Sequence, residues 1–107
     1  MAKPGVTNAD EIWARIQSGE DLQVVDVREN EEVATHGIIP GARHIRVADM
    51  ETRWNELDPS CETIVVCRSG RRSKAVCNFL QKQGFGNLKN MVDGMLAWKG
   101  EREEYYP

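Results

Sequence analysis

Apolar positions recur along this chain in two rhythms. Ile12, Trp13 and Ile16 stand at helical spacing behind Thr7-Asn8-Ala9-Asp10, a capping-box pattern with Asp in place of the usual Glu, and Ser18-Gly19 ends it. Leu22 to Val27 is short and almost continuously apolar, as expected of an interior parallel strand. Glu29 to Thr35 reads as a brief, acid-rich helical turn, and Gly37-Ile38-Ile39-Pro40-Gly41-Ala42 as a turn into a short strand at His44 to Arg46. Ala48 to Leu57, carrying Met50 and Trp54, predicts a helix that Asp58-Pro59-Ser60 breaks. Ile64 to Val66 predicts a strand that ends on Cys67. A helix follows from about Ser73 to Gln83, with Val76, Phe79 and Leu80 inward and Gly84 at the C-terminal cap. Leu88 to Val92 reads as the last strand and Gly94 to Lys99 as a last short helix.

Strands that alternate with helices argue an α/β fold around a central, mostly parallel sheet. Ligands in open sheets of this kind sit at the carboxyl ends of strands. Asp26, Cys67 and Val92-Asp93 fall at such ends, so one edge of the molecule is expected to carry the chemistry. The 107 residues suit one domain, with a core over about 5–100 and a tail at 101–107 that is charged and then aromatic. The sequence leaves open whether that tail packs or frays.

Composition adds one thing. The net charge is −3, yet all 17 acids lie outside residues 63–92, a stretch that holds six of the 14 Lys and Arg residues. A solvated basic face would explain this. Because the cations crowd around Cys67, local focusing of an anionic substrate is the better reading. The acidic balance, with no stripe of aromatic and basic residues, argues against nucleic acid as a partner. No apolar run reaches membrane-spanning length, and the N-terminus lacks the apolar core of a secretory signal, so a cytoplasmic protein without membrane partners is expected.

Residues 64 to 76, Ile-Val-Val-Cys-Arg-Ser-Gly-Arg-Arg-Ser-Lys-Ala-Val, carry the most information. A thiol held between a strand end and a helix start faces the positive end of the helix dipole and a set of free backbone N–H groups. That setting favours the nucleophilic thiolate. Arg68, Arg71, Arg72 and Lys74 surround it with positive charge. Cys61 and Cys77 read as a strand-edge residue and a helix-packing residue; a resolving role for Cys77 has nothing to support it. The three cysteines and the two histidines, His36 and His44, form neither a CxxC pair nor a metal-ligand set, so no metal is expected. Both histidines read as surface or turn residues.

Taken in order, Val24-Val25-Asp26-Val27-Arg28, Gly37-Ile38-Ile39-Pro40-Gly41-Ala42, the loop Cys67-Arg68-Ser69-Gly70-Arg71-Arg72-Ser73 and Asp93-Gly94-Met95-Leu96-Ala97-Trp98 resemble a single-domain rhodanese, a sulfurtransferase, over nearly the whole chain. Many relatives have His where this chain has Ile38, and a Gly pair where it has Asp93-Gly94. The resemblance implies a rhodanese-like three-layer α/β fold, with a five-stranded, mostly parallel sheet flanked by helices. It implies a loop of six residues, Cys67 to Arg72, that closes around a sulfane sulfur. Related phosphatases and arsenate reductases on this fold carry Arg after five residues and usually His before the Cys. Here those positions hold Ser73 and Val66, which disfavours phosphatase chemistry.

The implied reaction is transfer of a sulfane sulfur from thiosulfate, or a similar small anionic donor, to a thiophilic acceptor through a Cys67 persulfide. Cyanide, a small thiol or a protein thiol would serve as acceptor, and no cofactor is needed. Cys67 is the expected nucleophile, and Arg68, Ser69, Gly70, Arg71, Arg72 and Ser73 the expected substrate-binding loop. Arg68 and Arg71 are candidates for holding the anion, while Ser73 is as easily a helix N-cap. Asp26 and Arg28 resemble a scaffold pair, and Trp98 core or lid packing. The alternative is a persulfide carrier or docking module that delivers sulfur to a specific protein.

Overall fold

The structure, a computed structural model, describes residues 3–107. Its strands are β1 (Gly5–Thr7), β2 (Gln23–Asp26), β3 (Arg43–His44), β4 (Thr63–Val66) and β5 (Leu88–Met91). They form one five-stranded sheet in the order β1-β5-β4-β2-β3, and every pair is parallel. The helices are α1 (Ala9–Gln17), α2 (Asn30–His36), α3 (Met50–Arg53) and α4 (Arg71–Lys82).

The apolar runs explain the layers. Successive side chains of β4 point to opposite faces. Val65 and Cys67 enter one core with Val76, Cys77, Leu80 and Phe85, while Ile64 and Val66 enter the other with Ile12, Met91 and Trp98. Both faces are covered, so the central strands read as continuous hydrophobic runs. Trp98 is a core residue, its ring 5.7 Å edge-on from that of Trp13. Among the described residues no helix is long and apolar enough to cross a membrane.

Several boundaries differ from the sequence reading. Strand β1 has no counterpart in the hydrophobic pattern, because three residues carry no period and Val6 faces solvent. Asn8, not Thr7, caps α1, its side chain accepting from Glu11 N at 2.9 Å. The helix expected over 48–57 is broken. A 3-10 turn at Val47–Asp49, the four residues of α3 and a second 3-10 turn at Trp54–Glu56 replace it. The ion pairs Arg46–Asp49 and Arg53–Glu56 are spaced i,i+3, the spacing that a 3-10 turn eclipses. The last short helix is likewise a 3-10 turn, Met95–Ala97.

Helix α4 begins at Arg71, so Ser73 lies inside its first turn and is not its cap; Gly70 is, with φ of 91°. A Cβ at Gly70 would collide with the Val92 carbonyl. The helix ends as the Gly84 pattern implies. Gly84 N donates to Gln81 O at 3.1 Å and Phe85 N to Leu80 O at 3.2 Å, a Schellman closure with Phe85 packed in the same cluster as Leu80. The tail packs. Glu103 and Ile38 exchange both backbone hydrogen bonds, at 3.0 and 2.9 Å.

Candidate active site

Strand β4 ends one residue before Cys67, in the middle of the sheet, and the chain then turns sharply into α4. The turn wraps the sulfur: Gly70 N donates to Cys67 Sγ at 3.1 Å and Ser73 N at 3.4 Å, with Ser73 Oγ 3.3 Å away. Only 1% of Cys67 is exposed. Burial by itself pushes the thiol pKa up. Hydrogen bonds from the Ser73 hydroxyl and from the backbone N–H groups of Ser73, Ser69 and Gly70 outweigh it and hold the pKa below the ordinary value. The other two thiols go the opposite way. Burial pushes Cys77 up to about 12, and burial with the Asp58 carboxylate nearby raises Cys61.

A residue outside the loop fastens it. Asn90 on β5 accepts from the Ser73 hydroxyl at 2.5 Å and donates Nδ2 to the Gly70 carbonyl at 3.0 Å. The sequence reading missed Asn90. Its signal was a polar residue at a buried position in the last strand. The following segment closes the other side, Met95 N donating to Cys67 O at 2.8 Å and Leu96 N to Arg68 O at 3.1 Å. This close approach requires Gly94, whose φ is 67° and whose Cβ would strike the Arg68 carbonyl. Asp93 accepts from Ala9 N at 2.9 Å and so fixes the start of α1.

The loop cations separate by partner. Arg72 makes a two-pronged pair with Glu32 at 2.5 and 2.9 Å, and that guanidinium holds the Glu32 carboxyl at about 2. Arg68, Arg71 and Lys74 have no carboxylate partner among the described residues. Arg68 lines a cavity of about 320 Å³ together with Arg28, Glu32, His36, Leu96 and Arg102; Arg71 and Arg72 do not. Ser69 is exposed beside Arg68.

Asp26 and Arg28 are a buried structural pair. Arg28 Nη2 donates to Asp26 Oδ2 at 2.8 Å and to the Gly37 carbonyl at 2.7 Å. His36 is exposed, whereas His44, expected on the surface or in a turn, is a buried residue of β3. Its Nε2 lies 2.7 Å from the Arg28 carbonyl, and Tyr105 of the tail packs edge-on against its ring at 5.3 Å. Among the described residues no three His, Cys, Asp or Glu side chains are arranged to hold a metal ion.

The model of the rhodanese-like domain family matches residues 8–101. The putative sulfurtransferase YtwF of Bacillus subtilis (strain 168) is 47% identical over 87 residues, which cover 81% of this chain and 82% of that one. The putative sulfur carrier protein YrkF of the same organism is 42% identical over 89 residues, covering 83% of this chain and 48% of the longer relative. A rhodanese-like domain protein from Staphylococcus aureus superposes with a TM-score of 0.86 at 30% identity, covering 94% of this chain and 98% of that one. The names of the two Bacillus relatives support a role in sulfur transfer. Matched by the family model over residues 8–101 and in fold over 94% of its length, this chain belongs to the family of rhodanese-like domains.

Proposed function

We propose that the protein is a thiosulfate sulfurtransferase that works through a Cys67 persulfide. The observation that carries this reading is the thiol itself: buried, ringed by N–H donors and held below its ordinary pKa. Cys67 thiolate attacks the outer sulfur of thiosulfate, a Cys67–S bond forms, and the S–S bond breaks with its electron pair leaving on sulfite. The persulfide anion then occupies the loop, where Gly70 N–H and Ser73 N–H donate to negative sulfur as an oxyanion hole donates to oxygen. Cyanide, a small thiol or a protein thiol attacks the outer sulfur and regenerates the thiolate. A thiolate already favoured by its surroundings needs no general base.

Arg68 supports anion binding, because it lines the cavity and has no carboxylate partner among the described residues. Arg71 and Lys74 add to the positive field. Arg72 ties the loop to α2 through Glu32, so its guanidinium acts on substrate mainly by holding the loop. Ser69 and Gly70 contribute backbone.

One observation favours a second reading. A relative 42% identical is named a sulfur carrier, and the same cationic rim suits an acidic partner protein. The experiment that separates the two is the intact mass of reduced protein before and after thiosulfate. Gain of one sulfur atom on Cys67, lost to cyanide as thiocyanate, is the expected result, and Cys67→Ser should show none. A gain only from a protein persulfide would favour the carrier. No gain from either would defeat both.

A further inference from the structure

The segment beyond the matched region is fastened along the cavity that Arg68 lines. Arg102 Nη1 donates to the His36 carbonyl at 3.1 Å, and Nη2 to the Met95 and Trp98 carbonyls at 3.1 and 3.4 Å. Next to it, Glu103 pairs with Ile38 and its carboxylate accepts from Gly41 N at 3.1 Å. The chain therefore runs as a strap from the 95–98 turn to the connection between α2 and β3. This strap seats the Arg102 guanidinium on the wall of the cavity beside the loop.

Neutral carbonyls fix a guanidinium in place without cancelling its charge. Two other charged groups on that wall are compensated, Arg28 by Asp26 and Glu32 by Arg72. Arg68 and Arg102 are the two cavity guanidinium groups with no carboxylate partner among the described residues. Two such charges beside low-dielectric protein concentrate anions, and the planar guanidinium fork matches an oxyanion.

We propose that Arg102 is a substrate-binding residue. With Arg68 it holds the anionic group of the sulfur donor, so that the C-terminal strap sets the preference for charged donors over neutral ones. The inference rests on the sulfur-transfer reading of Cys67. It assigns a binding role to a residue outside the region that the family model matches.

Two alkylating reagents of nearly equal size test it, iodoacetate (an anion) and iodoacetamide (neutral). In each, the Cys67 thiolate displaces iodide and forms a thioether, located by peptide mass. Arg102→Gln should lower the ratio of iodoacetate to iodoacetamide rates at Cys67 by about five- to tenfold, the size expected for losing one charged contact. The iodoacetamide rate should stay within about twofold, and Arg102→Lys should keep most of the preference. The KM for thiosulfate should rise by a similar factor in Arg102→Gln with little change in kcat. A strap that only braces the loop would move both reagents together, and an unmoved ratio in a protein that still transfers sulfur overturns the Arg102 assignment alone. A ratio that falls in a protein whose Cys67 gains no sulfur from any donor overturns the transferase reading and leaves an anion site.

Discussion

Asn90 holds Ser73 by a hydrogen bond of 2.5 Å, and the Ser73 oxygen lies 3.3 Å from Cys67 Sγ. A hydroxyl has one proton to give. With that proton on Asn90, a Cys67 thiol donates to Ser73 Oγ; once the thiol ionises, sulfur and Asn90 compete for the Ser73 proton. Asn90→Ala removes this partner and the one on the Gly70 carbonyl, leaving buried groups unsatisfied at a cost of about 1–3 kcal/mol. The Ser73 hydroxyl then has only sulfur to donate to, so the Cys67 pKa should fall further below its ordinary value. Urea unfolding and the pH profile of iodoacetamide labelling at Cys67 check both effects. An unmoved profile would leave Asn90 with a purely stabilising role.

The depressed Cys67 pKa fixes a sign. The thiolate is the form present above the folded pKa, so labelling of Cys67 should persist to lower pH than for a free cysteine near about 8.5. Below its pKa the rate should fall tenfold per pH unit. Cys77, pushed up to about 12 by burial, should remain unlabelled in the folded protein at neutral pH. Ser73→Ala, which deletes a hydroxyl donor to sulfur, should shift the Cys67 profile upward. Equal labelling of both thiols at pH 7 would contradict the site as described.

Gly70→Ala should cost about 2–4 kcal/mol, since the new side chain meets a backbone carbonyl in a left-handed conformation. The loop N–H donors move with that residue, so sulfur loading of Cys67 should fall by at least about tenfold. Thermal unfolding and intact mass after thiosulfate measure the two separately. Normal loading would mean that the loop tolerates another backbone path.

Breaking the buried pair should weigh more on stability than on chemistry. Asp26→Ala leaves the Arg28 guanidinium without its carboxylate in a nearly sealed position, worth about 3–5 kcal/mol. Urea midpoints give the value. A loss below about 1 kcal/mol would show that the Gly37 carbonyl suffices for Arg28.

Much of the fold was legible because β2 and β4 are buried on both faces and so leave unbroken apolar runs. The thiol loop was legible because Cys67, Gly70 and the cations are contiguous. What escaped depends on distant partners. Strand β1 exists through its register with residues 89–91 of β5, and no local pattern announces it. Arg72 read as loop charge, yet Glu32, 40 residues away, compensates it. His44 is buried by Tyr105 and a carbonyl of Arg28, neither of which spacing could predict. Asn90 and Arg102 matter for what they touch across the molecule.

Two carboxylates are held well below the ordinary carboxylate range. Glu32 and Glu62 are held at about 2 by Arg72 and Arg15 against an ordinary 4.5. A depressed carboxyl pKa gives stability that is complete above 4.5 and is lost as pH falls toward 2. Urea midpoints should therefore drop across that window, and Arg72→Gln should flatten the drop by removing the Glu32 share. An unchanged slope in that variant would mean that Arg72 contributes nothing to it.

The register that joins Gly5 to Lys89 has a consequence for synthesis. A chain made from its N-terminus must extend past β5 before that edge of the sheet can form. Asn90, Asp93 and Gly94, which fasten the loop and the first helix, also emerge after Cys67. Until they dock, the nascent cysteine is an unsheltered thiol of ordinary reactivity. Its special chemistry is acquired late, as a property of the finished sheet.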